Sequence, residues 1–267
     1  MRLFPEQSLK GISFSTLRVL ALTYALFGVL LYLRQDAYLF YPPTTPMEEC
    51  ADLPDAKVIS ADGTRAYYIE SASSTKLGVI YHGNAERACD SAYLVNWLTH
   101  YGYNVLAVEY SGYASDDSQK PSVKLLLRDT EHIDAWVKEK NFSELLIIGR
   151  SIGVGFASYH TSLSSPERLV LISPFDTLSG LAKTHYPVYP ISLLLRTELD
   201  NVTNAAFAKE VLLIHGADDS EIPIERGRVL FEKLPQKQKT FVTVEGFGHN
   251  DVLGTEESWS ALTAFLQ

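Results

Sequence analysis

The sequence predicts an α/β domain with a mostly parallel sheet covered by helices, preceded by an N-terminal transmembrane helix. Three observations carry this. Short apolar runs alternate with helical segments from about residue 77 onward, the pattern of repeated β–α units. Gly149-Arg-Ser151-Ile-Gly153 follows one such run and opens a helix, the context that a G-x-S-x-G turn requires. The 20 residues from Phe14 to Leu33 are apolar apart from Ser15, Thr16, Arg18, Thr23 and Tyr24.

At 267 residues, the simplest count is one such domain, and 46% hydrophobic residues are ample for its core. A net charge of −9 argues against a nucleic-acid surface. Two cysteines, Cys50 and Cys89, match no zinc or redox spacing. They are expected to be unpaired thiols, since a bridge between them needs an oxidising compartment.

As a helix, Phe14 to Leu33 reaches about 30 Å, the thickness of a bilayer core. Arg18 is near one end and can snorkel outward. Tyr32, Tyr38, Phe40 and Tyr41 suit an interfacial belt. No small-residue cleavage site follows, which disfavours a removed signal peptide. A buried N-terminal helix is the other alternative. Residues 1–40 are therefore expected to be an uncleaved anchor. Arg2 and Lys10 precede the run, Arg18 lies near its start and only Arg34 closely follows it, which puts the main domain on the non-cytoplasmic side. A chain beginning near Tyr41 is expected to be soluble and active, because the sheet and its polar strand ends lie downstream.

Tyr41-Pro-Pro-Thr-Thr-Pro46 reads as a linker. Residues 58–60 and 66–70, around Asp62-Gly63, read as a hairpin. Strands are then predicted at 77–81, 104–109, 145–148, 169–172, 211–214 and 240–244. Helices are predicted at 87–101, 122–139, 152–160, 223–234 and 256–266. In such sheets ligands sit outside the carboxyl ends of the strands, so the residues after each strand matter most. These are His82-Gly-Asn84-Ala85, Ser151, His215-Gly-Ala-Asp218-Asp219 and Gly246-Phe-Gly-His249-Asn250.

At the elbow, Gly149 and Gly153 remove clashes around a strained turn, and the first N–H groups of the helix lie beside the serine hydroxyl. Serine is a poor nucleophile without a base. Of seven histidines, His249 alone lies after a strand and downstream of both Ser151 and the Asp218-Asp219 pair. His82 and His215 precede glycines at strand ends and read as loop-shaping residues. His100, His132, His160 and His185 read as surface or packing residues. Asp251 reads as a helix cap or loop residue.

With these motifs in this order, from about Tyr41 to the C-terminus, the chain resembles an α/β-hydrolase serine hydrolase. In layout it is similar to the single-pass, membrane-anchored abhydrolase-domain group. The resemblance implies Ser151 as nucleophile, His249 as base and Asp219 as acid. The family's HGxxDxxVP spacing to Pro223 favours Asp219, with Asp218 the adjacent alternative. The oxyanion hole is implied at the backbone N–H groups of Ile152 and Asn84, Ala85 being the alternative to Asn84. Val108-Glu109-Tyr110-Ser111-Gly-Tyr-Ala114 departs from the family's DYRGYG stretch at Glu109, Ser111 and Ala114. A short cap is expected at about 175–209. Its Leu193 and Leu194 are candidates to line an acyl pocket, although core packing is the commoner use of such runs.

The expected activity is cleavage of an acyl ester or thioester through an acyl-enzyme, with no metal or organic cofactor. A peptidase or acyltransferase on the same fold is the alternative. From another class, so is a non-catalytic membrane-bound scaffold. The resemblance fixes neither the natural substrate nor the oligomeric state.

Overall fold

The computed structural model describes residues 14–47 and 50–267. Arg2 and Lys10, on which the orientation expectation draws, lie outside them. The chain opens with α1 (Phe14–Leu39), which runs six residues beyond the apolar stretch. No breaker occurs before Pro42, and the polar side chains of the added turns find partners in the cap, described below.

Eight strands form one sheet: β1 (Lys57–Ala61), β2 (Thr64–Ile69), β3 (Lys76–Tyr81), β4 (Asn104–Val108), β5 (Glu144–Arg150), β6 (Arg168–Ile172), β7 (Glu210–Gly216) and β8 (Gln238–Val244). Their order is β1-β2-β4-β3-β5-β6-β7-β8. The first two pairings are antiparallel and every pairing from β4 onward is parallel. Asp62 and Gly63 close the first hairpin, both with positive φ. β3 to β7 are apolar almost throughout because both faces of the sheet are covered.

Five longer helices provide that cover: α2 (Ala92–His100), α3 (Val123–Lys140), α4 (Gly153–Ser164), α8 (Ile224–Lys233) and α9 (Glu256–Leu266). Leu77, Val79 and Ile147 point to one face and meet Ile133 of α3, Phe156 of α4 and Leu230 of α8. Ile80, Ile148 and Leu212 point to the other and meet Leu94 and Leu98 of α2 and Leu262 of α9. Between β6 and β7 lie three short helices, α5 (Leu178–His185), α6 (Ile191–Leu194) and α7 (Asn201–Asn204), in the segment expected to be the cap. The sequence leaves β3 toward β4 on one side and then returns to β5 on the other. This reversal opens a crevice at the carboxyl ends of β3 and β5.

One expectation changes here. Cys50 and Cys89 form a disulfide, with Cα atoms 5.7 Å apart, rather than standing as free thiols. Met47 and Leu53 are buried on the α2 face and carry the intervening Cys50 onto the short 3₁₀ turn Ala88–Ser91 that holds Cys89. The linker 41–46 is also tied to the domain, with Tyr41 N–H donating to Asn84 Oδ1 and Ser115 N–H to Thr45 O, both at 3.0 Å. Phe40 just before it is 3% exposed and packs edge-on against Tyr113, with ring centroids 6.3 Å apart.

Candidate active site

Ser151 sits at φ 54° between β5 and α4. A left-handed serine is costly unless its surroundings enforce it. Here they do. Its own N–H donates to Ile172 O at 2.9 Å. A Cβ at Gly149 would collide with Ala157 Cβ, and one at Gly153 with the carbonyl oxygens of Tyr81 and His82. The two glycines thus let β5, α4 and the end of β3 close around the serine.

The structure brings Ser151, His249 and Asp219 together from the ends of β5, β8 and β7. Ser151 Oγ–H donates to His249 Nε2 at 2.8 Å, and His249 Nδ1–H donates to Asp219 Oδ2 at 2.7 Å. This tautomer follows from the ionised carboxylate, which only accepts. Burial alone would raise the Asp219 carboxyl. Hydrogen bonds from His215, His249 and the Ile222 N–H outweigh it and hold the group well below the usual carboxylate range. Its second oxygen accepts from the N–H groups of Glu221 and Ile222 at 3.0 and 2.7 Å. Asp218, one residue earlier, is exposed, and no hydrogen bond or ion pair to His249 is formed by its side chain among the described residues. His215 Nε2–H donates to Ile222 O at 2.8 Å and lies 3.3 Å from Asp219. It therefore braces the acid loop. Asp251 accepts from Gly248 N–H at 2.7 Å and braces the histidine loop.

The Asn84 side chain is fully engaged. Its Nδ2 donates to Leu39 O at 2.7 Å. Its Oδ1 accepts from Tyr41 N–H at 3.0 Å, Tyr113 O–H at 2.8 Å and Ala85 N–H at 3.0 Å. Ala85 N–H is thus already used, which favours Asn84 over Ala85 as an oxyanion donor. Among the described residues, no acceptor takes the backbone N–H of Asn84 or of Ile152. Glu109 stands behind this loop, buried, and its Oε2 accepts from Ala88 N–H at 3.0 Å. Burial pushes its carboxyl up to about 7 against the Ala88 N–H and the Arg65 and Arg87 charges. Ser111 donates to Asp129 through both N–H and hydroxyl. The departures at 109 and 111 therefore keep the loop braced by other partners.

Sequence reasoning missed a polar bracket around the site. Arg150 pairs with Glu86 of the β3 loop and donates to Asn250, and Asn250 in turn donates to Glu221. This bracket ties together the four loops that meet at Ser151. Arg150 and Asn250 flank Ser151 and His249 in sequence, but no local pattern pairs them.

A pocket of about 660 Å³ opens at Ser151 and His249. Phe175, Leu178, Ile191, Leu194 and Leu195 line it from the cap. Leu31 and Leu39 of α1 line it as well, so the N-terminal helix forms part of the wall. Leu193 points outward, 78% exposed, so of the two candidate leucines only Leu194 faces the pocket. No cluster of three or more metal-ligating side chains occurs among the described residues.

The strand order and helix layers are those of the α/β-hydrolase fold, with an apolar helix ahead of it. Comparisons with known proteins agree. The chain is 28% identical over 238 residues to an uncharacterized protein of Mycobacterium tuberculosis, covering 84% of each. It is 28% identical to human ABHD12B over 74% of this chain and 63% of that protein. It is 25% identical to the zebrafish lysophosphatidylserine lipase ABHD12 over 75% of this chain and 61% of that protein. The chain thus spans less than two thirds of these two ABHD12-type relatives. Among solved structures, an esterase of Pyrococcus furiosus superposes with a TM-score of 0.64 at 17% identity, covering 86% of this chain and 99% of that one. Native esterase 2 of Thermogutta terrifontis gives 0.62 at 16%, covering 86% and 94%. No family model matches. The chain has the α/β-hydrolase fold and is similar in sequence to the ABHD12 abhydrolase-domain proteins.

Proposed function

We propose that this chain is a membrane-anchored serine hydrolase that cleaves carboxylic esters or thioesters with apolar acyl groups. The observation that carries the reading is the Ser151–His249–Asp219 hydrogen-bond chain at the mouth of an apolar pocket. Ser151 Oγ attacks the acyl carbon while His249 Nε2 takes its proton, and Asp219 steadies the imidazolium. The Asn84 and Ile152 N–H groups receive the oxyanion. As the tetrahedral intermediate collapses, the proton passes from His249 to the departing alcohol or thiol. A water then loses its proton to His249, attacks acyl-Ser151 and releases the acid and free serine.

Chain-length dependence tests the substrate class. Burial of each methylene contributes up to about 0.8 kcal/mol, up to about fourfold in kcat/KM, until the pocket is full. Activity on p-nitrophenyl esters is expected to rise from acetate through medium chains, and Leu194→Asp to flatten the rise. A peak at acetate with a steady fall thereafter would mark a small-ester esterase.

The anchor end is also a working part of this site, which changes the expectation for a chain beginning at Tyr41. That chain lacks the Leu39 carbonyl that fixes Asn84 and the buried Phe40. Loss of one oxyanion donor costs about 10²–10³ in kcat, and a loosened donor costs part of that. A chain beginning at Tyr41 is expected to lose at least about 10-fold in kcat relative to one beginning at Leu33. Asn84→Ala, with Phe40 intact, should reproduce much of the loss. Equal kcat for both chains would remove the anchor end from the site.

Helix α1 is 26 residues long, apolar enough to cross a bilayer and mostly exposed. These properties support the anchor. The Cys50–Cys89 disulfide supports an oxidising, non-cytoplasmic location for the domain. Protease added outside sealed cells or spheroplasts is expected to reach the domain. Full protection would reverse the orientation.

A further inference from the structure

Tyr186-Pro-Val-Tyr-Pro-Ile-Ser-Leu-Leu-Leu195 in the cap holds no charged residue. Its Val188 and Leu193 are 70% and 78% exposed. The stretch runs alongside α1. Tyr24 O–H donates to Val188 O at 2.8 Å, and the Tyr24 and Tyr189 rings stack with centroids 4.5 Å apart. Phe27 lies 5.5 Å from Tyr189, which also covers Gly28. Nearer the domain, Asp36 pairs with Arg196, and Gln35 donates to Leu194 O at 3.1 Å. Contacts therefore follow α1 from Asp36 back to Tyr24, about 18 Å at 1.5 Å per residue.

A cap in water does not fit a spanning α1. Among the described residues, the contacts between α1 and the cap end at Tyr24, and residues 14–23 lie beyond them. They measure about 15 Å against a hydrocarbon core of about 30 Å. The preceding sequence carries Arg2, Glu6 and Lys10 and does not prolong the apolar run. If Phe14 to Leu33 crosses the bilayer, Tyr24 lies near its middle, with Val188 and Tyr189 beside it. The cap's reach of about 18 Å matches the depth of one leaflet. Lys183 and His185 before the stretch and Arg196 after it bracket it with groups suited to headgroups. Part of its backbone is already satisfied. The N–H groups of Tyr189, Ile191, Leu193 and Leu195 are bonded within the segment, prolines remove two more, and Tyr24 satisfies Val188 O.

We propose that cap residues 186–195 are sunk in the leaflet beside α1, with hydrocarbon chains as the occupant of their exposed face. The pocket walled by Leu31, Leu39, Ile191 and Leu194 then lies at the membrane surface. An acyl chain reaches Ser151 sideways from the leaflet, and the cleaved leaving group departs to water. This deepens the function proposed above and rests on α1 being the anchor.

The test uses full-length protein in phosphatidylcholine vesicles. Environment-sensitive fluorophores are attached to Leu193→Cys or, as an exposed control, to Lys237→Cys. The paired Cys50 and Cys89 do not compete for label. The label at 193 is expected to be quenched by acyl-brominated lipid and shielded from iodide, with the reverse at 237. In parallel, Val188→Glu with Leu193→Glu, both outside the pocket, should lower turnover of a vesicle-embedded long-chain ester about 10- to 100-fold. Hydrolysis of a soluble butyrate ester should stay within about twofold. Equal iodide quenching at both positions overturns the proposal while leaving the anchor in place. A label at 193 shielded from both quenchers means that protein, such as a second copy, covers the face, and also overturns it. Protein that fails to float with vesicles ends both this inference and the anchor reading.

Discussion

Ser151→Ala is expected to lower kcat/KM for a butyrate ester by about 10⁴-fold or more. The loss is large because only the serine oxygen can form the acyl-enzyme. A residue of activity should survive, since the free Asn84 and Ile152 N–H groups still polarise a bound carbonyl. Groups that act as a unit are strongly non-additive. Adding His249→Ala to Ser151→Ala should therefore cost little more, as the base has no hydroxyl left to activate. The fold should be indifferent. Alanine meets the same φ of 54°, and the change removes one oxygen, so the melting temperature should move by about 2 °C at most. Comparable activity in the mutant would mean that another residue is the nucleophile.

Asp219→Asn is the second large effect, again about 10⁴-fold in kcat. The amide keeps the size of the carboxylate but turns a donor toward His249 Nδ1. The imidazole then carries its proton on Nε2, where it can no longer accept from Ser151. Asp218→Asn should stay within about twofold, because that side chain is exposed. A stability signature accompanies this. The folded Asp219 carboxyl titrates below its unfolded value of about 3.9. Its contribution is therefore complete above that range and is lost as pH falls through the folded value. The difference in melting temperature between wild type and Asp219→Asn should be constant near neutrality and shrink below about pH 4. A larger activity loss in Asp218→Asn would put the acid one residue earlier.

The order of strand-end residues was legible because buried parallel strands announce themselves as apolar runs, and the loops after them lie at the crevice. Ser151, Asp219 and His249 each lie on such a loop or turn. Contacts between segments with no local pattern were not legible. Cys50 meets Cys89 only because Met47 and Leu53 are buried beside α2, a packing event that neither cysteine encodes. Phe40 reads as an interfacial aromatic yet ends in the core, and Leu39 matters through its carbonyl, which has no side-chain signature. Leu193 and Leu194 are indistinguishable by type, and the four-residue α6 is too short for periodicity to assign a face. The bracket of Glu86, Arg150, Asn250 and Glu221 draws on four separate loops. Its members became visible only once the sheet had assembled them.

The pairing of α1 with the cap follows the same logic. Tyr24 reads as a minor polar interruption of an apolar helix. Its partners Val188 and Tyr189 lie more than 160 residues away, and the contact exists because Phe40 and Asn84 fix where α1 leaves the domain.

Peptide mapping after reaction with a fluorophosphonate tests the central claim most directly. The phosphorus should be attacked by the oxygen that His249 activates, and the geometry commits that oxygen to Ser151. Mass spectrometry should find one stoichiometric adduct, on Ser151, with Asp219→Asn and His249→Ala forming it far more slowly. An adduct on any other residue, or an inert Ser151 in folded protein with His249 and Asp219 intact, would contradict the account.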